Sequence, residues 1–265
     1  MSGKALRTAA FLNPASGRSL SVALDHGMQL GPVPGLVQAR PIIELAVRLG
    51  IEGMLLTPGQ MTRNADILAV RGRPAVMLRV DQTTMWRVGA ERGYAEGHTR
   101  LVSSVEDAVR LGAEAVITYL FTCHKDPALE NRSIEICGSM AERCRALGMA
   151  FVVEPMAARD GMLADPFDAA AIAMNCRIAA DLGADLIRTD WSGDAGSFRQ
   201  VVAGVDVPVL MAGGPSAGDD KAARAMVEEM LSAGAGGLVF GRNLFQAAQP
   251  KRMMKELQKL VHEAA

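Results

Sequence analysis

The stretch VPVLMAGGPSAGDDKAARAMVEEMLSAGAGGLVFGRN, Val207 to Asn243, decides the fold. An apolar run ends in Gly213 and Gly214, a helical pattern follows from about Lys221 to Leu231, and a second apolar run, GLVF, ends in Gly241 and Arg242. Strand, helix, strand is the unit of a parallel sheet, because parallel neighbours need a crossover between them. Working outward, the same unit recurs along the chain. Upstream runs are SVALDHG from Ser21, Gly53 to Thr57, Ala75 to Arg79, Ala115 to Phe121, Phe151 to Glu154 and DLIRTD ending at Asp190. Helices are expected between them over Pro41–Leu49, Asn64–Val70, about Arg132–Leu147, Pro166–Leu182 and Gly196–Val202, and last over Gln249–His262. Ser103, Ser104, Val105 and Glu106 fit a capping box for one more, ending near Leu111 and Gly112. The long stretch between Asp81 and His98 reads as a loop rich in glycine and charge.

Eight strand candidates, each with a following helix, predict an α/β fold of the closed (β/α)8 TIM-barrel type, a single domain over residues 1–265. The competing open, doubly wound sheet usually carries a glycine-rich fingerprint after its first strand; here Asp25, His26 and Gly27 follow it.

Composition narrows the function classes. The 265 residues are 49% hydrophobic, and 28 Lys and Arg nearly balance 29 Asp and Glu, which gives no long-range attraction for nucleic acid or anionic membrane. Four cysteines without CxxC spacing disfavour a zinc site or a disulfide framework. No run is long and apolar enough for a membrane helix, and the N-terminus lacks a signal-peptide core; a cytoplasmic protein is expected.

In a barrel, chemistry gathers at the C-terminal ends of the strands. The loops after strands seven and eight offer Gly213, Gly214, Gly241 and Arg242, whose exposed amides and guanidinium suit a phosphate dianion. Asp25 and His26 follow the first strand, where a carboxylate and an imidazole can move protons. Glu154 ends the fifth strand as an acid or as the partner of Arg79 or Arg188, and Arg188 and Asp190 end the sixth.

LDHGMQLGPVPGL (Leu24 to Leu36), SVEDAVRLGAEAV (Ser104 to Val116), AGGP and GRNLFQ resemble the DhnA-type class I aldolases, over nearly the whole chain. That family includes archaeal-type fructose-bisphosphate aldolase, aminodideoxyheptulosonate synthase and the autoinducer-2 thiolase. The resemblance implies a lyase on phosphorylated sugars or ketones and a homo-oligomer, a decamer in several members. It gives Asp25 the acid/base position, and the glycines and Arg242 the phosphate positions.

The family's chemistry uses a strand-six lysine that forms a Schiff base with the substrate carbonyl. Here the segment reads Leu186–Ile187–Arg188–Thr189–Asp190, and arginine, protonated at any working pH, cannot be the attacking amine. The tyrosine used as proton donor in one branch aligns near Phe121, with Tyr119 two residues away. Three explanations follow. The amine has moved, and among six lysines (Lys4, Lys125, Lys221, Lys251, Lys255, Lys259) only Lys125 lies just past a strand end. Alternatively Arg188, or magnesium or manganese held by Asp25, His124, Glu154 or Asp190, polarises the carbonyl for enolate chemistry, meaning aldol cleavage, isomerisation or epimerisation. In the third, the barrel only binds a phosphorylated sugar.

Overall fold

The computed structural model describes residues 2–215 and 219–263. Eight parallel strands close into a barrel: β1 (Ser19–Ala23), β2 (Gly53–Leu56), β3 (Ala75–Arg79), β4 (Ala115–Thr122), β5 (Ala150–Ala157), β6 (Leu186–Thr189), β7 (Val209–Ala212) and β8 (Gly237–Phe240). Closure is made at β1, which pairs Ser19 with Gly237 on β8 and Ser21 with Gly53 on β2. All eight strands fall where the apolar runs place them. Every residue of every one of these strands is buried, as a sheet covered by helices outside and filled inside requires.

Alternation along the strands builds the interior in layers. Ala23, Leu55, Met77, Ile117, Val152, Leu186, Leu210 and Val239 form one apolar layer, and Phe11, fully buried, belongs to the same cluster. Gly53 makes room for that ring: a Cβ there would stand 2.2 Å from Ser21 Oγ and 3.0 Å from Phe11 Cδ1. Two residues further along the same strands, the period of two delivers Asp25, Arg79, Tyr119, Glu154, Arg188, Ala212 and Gly241 to the barrel mouth.

The helices carry several differences from expectation, each traceable to a cap. The cap of helix Val105–Arg110 is Ser104, whose hydroxyl accepts from Asp107 N at 3.1 Å, so the motif sits one residue later than the expected box. Asp126 starts its helix at Pro127 rather than near Arg132, with its carboxylate accepting from Ala128 N. Asp168 caps Ala169–Asp181, which leaves Pro166 outside the helix and on the cavity wall. A helix over Ser2–Ala9, which the strand–helix alternation did not include, bonds through Arg7 to Gly148 O. The expected loop after β3 contains an antiparallel ribbon, Asp81–Thr83 against Thr99–Leu101, and a 3-10 turn, Met85–Arg87, that carries Trp86.

Candidate active site

A cavity of about 390 Å³ opens at the C-terminal ends of the strands. Asp25, His26, Tyr119, Glu154, Arg188, Asp190, Gly213, Gly214, Gly241 and Arg242 all line it. Of the residues expected at the site, His124 and Lys125 do not.

The chain turns at Cys123, which among the described residues is the one non-glycine position with positive φ, 56°; its amide donates to Glu130. Beyond that turn both residues engage Asp160: His124 Nδ1 lies 3.2 Å from its Oδ2 and the Lys125 amide donates to the same oxygen. His124 lines a separate small cavity, and Lys125 is exposed beside Gly161. A position just past a strand end is therefore not enough to put the Lys125 amine at the substrate.

The floor of the cavity is an ion network centred on Arg79, a fully buried arginine. Its Nε donates to Asp25 Oδ2 at 2.9 Å, its Nη1 to Asp81 Oδ1 at 3.2 Å and its Nη2 to Glu154 Oε2. The guanidinium carbon lies 4.0 Å from the centre of the Tyr119 ring, a cation–π stack. Asp81 is held in turn by the Thr118 hydroxyl and the Tyr119 amide, both at 2.7 Å. Arg188 takes the other oxygen of Glu154 through Nη1 and donates through Nε to Val239 O at 3.3 Å. The two alternatives for Glu154, Arg79 or Arg188, are both realised.

Electrostatics follows from this crowding. Burial would raise the Asp25 carboxyl, but Arg79, His26 and Arg188 outweigh it and hold it below the ordinary carboxylate value, ionised. Burial also lowers His26, helped by Arg188 and Arg242 and opposed by Asp25, so its imidazole is neutral at neutral pH. Its Nδ1 has no hydrogen-bond partner, and its ring stands edge-on to Phe245 at 5.3 Å. Burial raises Asp190 against the opposing charge of Arg159, whose Nη2 donates to it at 2.7 Å. Burial, with Glu154 and Asp25 nearby, pushes the Tyr119 hydroxyl far up, and it accepts from Trp86 Nε1 at 3.0 Å. Tyr119, rather than Phe121, lines the cavity.

The glycine loops differ in the space beside them. Gly214 is left-handed at φ 59°, and a Cβ placed on it would have nothing within 4 Å, while a Cβ on Gly241 would meet His26 Cε1 at 2.2 Å. Asn243 Nδ2 ties the two loops by donating to Gly213 O at 2.7 Å. Arg242 beside them has no ion pair among the described residues, and burial followed by the charge of Arg188 lowers its pKa.

The donor set does not suit the magnesium or manganese expected as one alternative. Asp25, Glu154 and Asp190 already face guanidinium groups, His124 lies elsewhere, and the described residues contain no cluster of three or more His, Cys, Asp or Glu arranged to hold a metal. A dication there would have to displace fixed cations.

Residues that the sequence reading did not single out for the site are Gln29, Met156, Arg159 and Phe167, together with Trp86. All but Met156 sit outside the eight strands, where no period places a side chain.

With the geometry in view, residues 19–247 match the family model described as DeoC/LacD family aldolase. The chain belongs to the DeoC/LacD aldolase family. It is 31% identical over 265 residues to an uncharacterized aldolase of Saccharolobus solfataricus, covering 100% of this chain and 96% of the relative. It is 32% identical over 248 residues to 2-amino-3,7-dideoxy-D-threo-hept-6-ulosonate synthase of Halobacterium salinarum, covering 94% and 88%. Among solved structures it is similar to an archaeal fructose-1,6-bisphosphate aldolase whose catalytic lysine is covalently bound to the carbinolamine intermediate, with TM-score 0.84, 25% identity and coverage of 98% and 99%. The resemblance drawn from the DHG and GRNLFQ motifs is borne out, as is the barrel. DeoC/LacD aldolases are lyases, and the similar solved structure is that of an aldolase of fructose 1,6-bisphosphate, a phosphorylated sugar. No helix among the described residues of this family member is long and apolar enough to cross a membrane.

Proposed function

We propose that this chain is a carbon–carbon lyase for a phosphorylated sugar or ketone that works through an enolate, with the Arg188 guanidinium in place of a lysine Schiff base. The observation that carries this reading is the placement of Arg188: it is next to last in β6, lines the cavity, and is fixed by Glu154 and Val239 O with no lysine beside it in the lining. A fixed cation aimed at a carbonyl oxygen stabilises the negative charge that grows there when the neighbouring bond breaks.

The other roles follow from protonation. Ionised Asp25 accepts the proton of the hydroxyl β to the carbonyl; the carbon–carbon bond breaks, an aldehyde leaves and the electron pair becomes an enolate facing Arg188. The enolate carbon takes a proton from solvent through His26 in the cavity lining, and Asp25 returns its proton to solvent. Arg242 and the amides of Gly213, Gly214 and Gly241 hold the phosphate. Phosphorylated substrates of this kind are made inside cells, which supports a cytoplasmic enzyme, and the family resemblance supports a homo-oligomer, checked by light scattering against the 28.0 kDa chain.

The test is a retro-aldol screen of phosphorylated ketoses, with released aldehyde as the readout. Cleavage that survives Lys125→Ala and is lost in Arg188→Ala is expected. Interconversion without cleavage would move the protein to the isomerases or epimerases; binding without turnover would make it a phosphosugar-binding protein.

A further inference from the structure

We infer that the side of the cavity across from the phosphate loops holds a second polar subsite, made by Gln29 and Arg159, for a carboxylate. The substrate then carries a phosphate at one end and a carboxylate at the other. This rests on the phosphate site proposed above and deepens it.

The phosphate loops follow β7 and β8, and β3 stands opposite β7 in the ring of eight. The ribbon after β3 anchors both residues. Thr83 N donates to Gln29 Oε1 at 2.9 Å. An N–H can be met only by the carboxamide oxygen, so the end left over is the NH2 group. Arg159 N donates to Met85 Sδ at 3.1 Å, and the Arg159 guanidinium carbon lies 5.7 Å from the centre of the Trp86 ring and 4.4 Å over Phe167. Nη2 of the same guanidinium donates to Asp190 Oδ2 at 2.7 Å. Both side chains line the cavity, and Gln29 is only 4% exposed.

Gln29 Nε2 and Arg159 Nη1 are buried and have no hydrogen-bond partner among the described residues. Leaving a buried donor unpaired costs the desolvation of that group, a cost that a ligand acceptor removes. The two atoms select the chemistry of that acceptor. A hydroxyl brings a hydrogen that neither donor can receive, whereas a carboxylate brings acceptors alone. A guanidinium N–H also binds an ionised oxygen more strongly than a neutral one. Arg79, in the floor of the same cavity, serves three carboxylates. Arg159 shared between Asp190 and a substrate carboxylate is the same arrangement with one partner supplied by the ligand. A second phosphate fits less well. It would bring a dianion to one carboxamide and a guanidinium already engaged by Asp190, whereas the loops after β7 and β8 offer several backbone amides and Arg242.

The experiment compares erythronate 4-phosphate, erythritol 4-phosphate and erythritol 1,4-bisphosphate, all on one four-carbon backbone, by calorimetry with the intact chain. Erythronate 4-phosphate should bind about tenfold more tightly than erythritol 4-phosphate or better, the scale of one hydrogen bond to a charged group. In Gln29→Met, which removes the donor without changing charge, that ratio should fall severalfold while inorganic phosphate binds as before. Gln29→Glu keeps an oxygen for Thr83 N and exchanges the free NH2 for an acceptor, and the preference should vanish there as well. Equal or tighter binding of erythritol 4-phosphate to the native chain overturns the inference and leaves the phosphate site standing. Tighter binding of the bisphosphate than of erythronate 4-phosphate overturns the assignment to a carboxylate. A preference unmoved by both variants also overturns it, since Gln29 would not be its source. Binding of none of the three esters removes the phosphate site and the inference with it.

Discussion

Glu154 is shared by two guanidinium groups, with Arg188 on one carboxylate oxygen and Arg79 on the other. The acid within β5 is therefore a clamp that fixes the cation next to the end of β6. Burial opposes the Arg188 charge, but Glu154 and Asp25 outweigh it and raise its pKa further, so Arg188 never supplies a free amine-like nitrogen.

Turnover should depend on that cation. Arg188→Ala is expected to lower kcat by about 10²–10³-fold, the cost of losing one preorganised donor at a developing oxyanion. KM for the same phosphorylated substrate should change far less, because the phosphate contacts are untouched. Steady-state kinetics of the pair checks this.

Phosphate recognition should depend on Arg242. Arg242→Ala is expected to weaken phosphorylated ligands by about 1.5–3 kcal/mol, the scale of a hydrogen bond to a charged group. Unphosphorylated analogues should bind alike to both proteins, and calorimetry separates the two cases.

Stability should depend on Arg79 more than on any exposed pair. Arg79→Met leaves Asp25, Asp81 and Glu154 without their common cation, and breaking a buried network of this kind costs about 3–5 kcal/mol. Arg252→Ala, which removes a surface pair with Glu256, should cost no more than about 1 kcal/mol. Urea unfolding of the two variants gives the contrast.

Acid should act through His26. Its native pKa lies below the ordinary 6.5, so between the two values the unfolded chain binds a proton that the native ring refuses. Stability consequently falls as pH drops below about 6.5 and this contribution levels off once the native pKa is passed. His26→Asn should lose part of that dependence; urea midpoints at pH 7.5 and 5.5 for both proteins measure it.

The barrel was legible because each apolar run is a strand buried on both faces, and most end at a glycine or a polar residue, β5 being the exception that runs on through Pro155 to Ala157. The mouth residues were legible for the same reason: Asp25, Glu154, Arg188 and Gly241 sit two residues beyond an interior apolar side chain. That rule stops where the strand stops. Thr122 is the last residue of β4, and the turn at Cys123 sends His124 and Lys125 to Asp160, which proximity in sequence could not show. Trp86, Arg159 and Phe167 reach the cavity from loops, brought together by stacking on Arg159 across separations no local pattern records. Tyr119 and Phe121 share one face of β4, so alternation leaves both as candidates; Tyr119 is the one beneath Arg79.

The central claim is that Arg188 replaces a covalent lysine, and borohydride trapping tests it most directly. The chain is reduced in the presence of dihydroxyacetone phosphate and weighed by intact-mass spectrometry, beside Arg188→Lys. The account predicts an unmodified native chain and an adduct in Arg188→Lys on the peptide carrying position 188. An adduct on the native chain, mapped to Lys125 or to any other lysine, would contradict it.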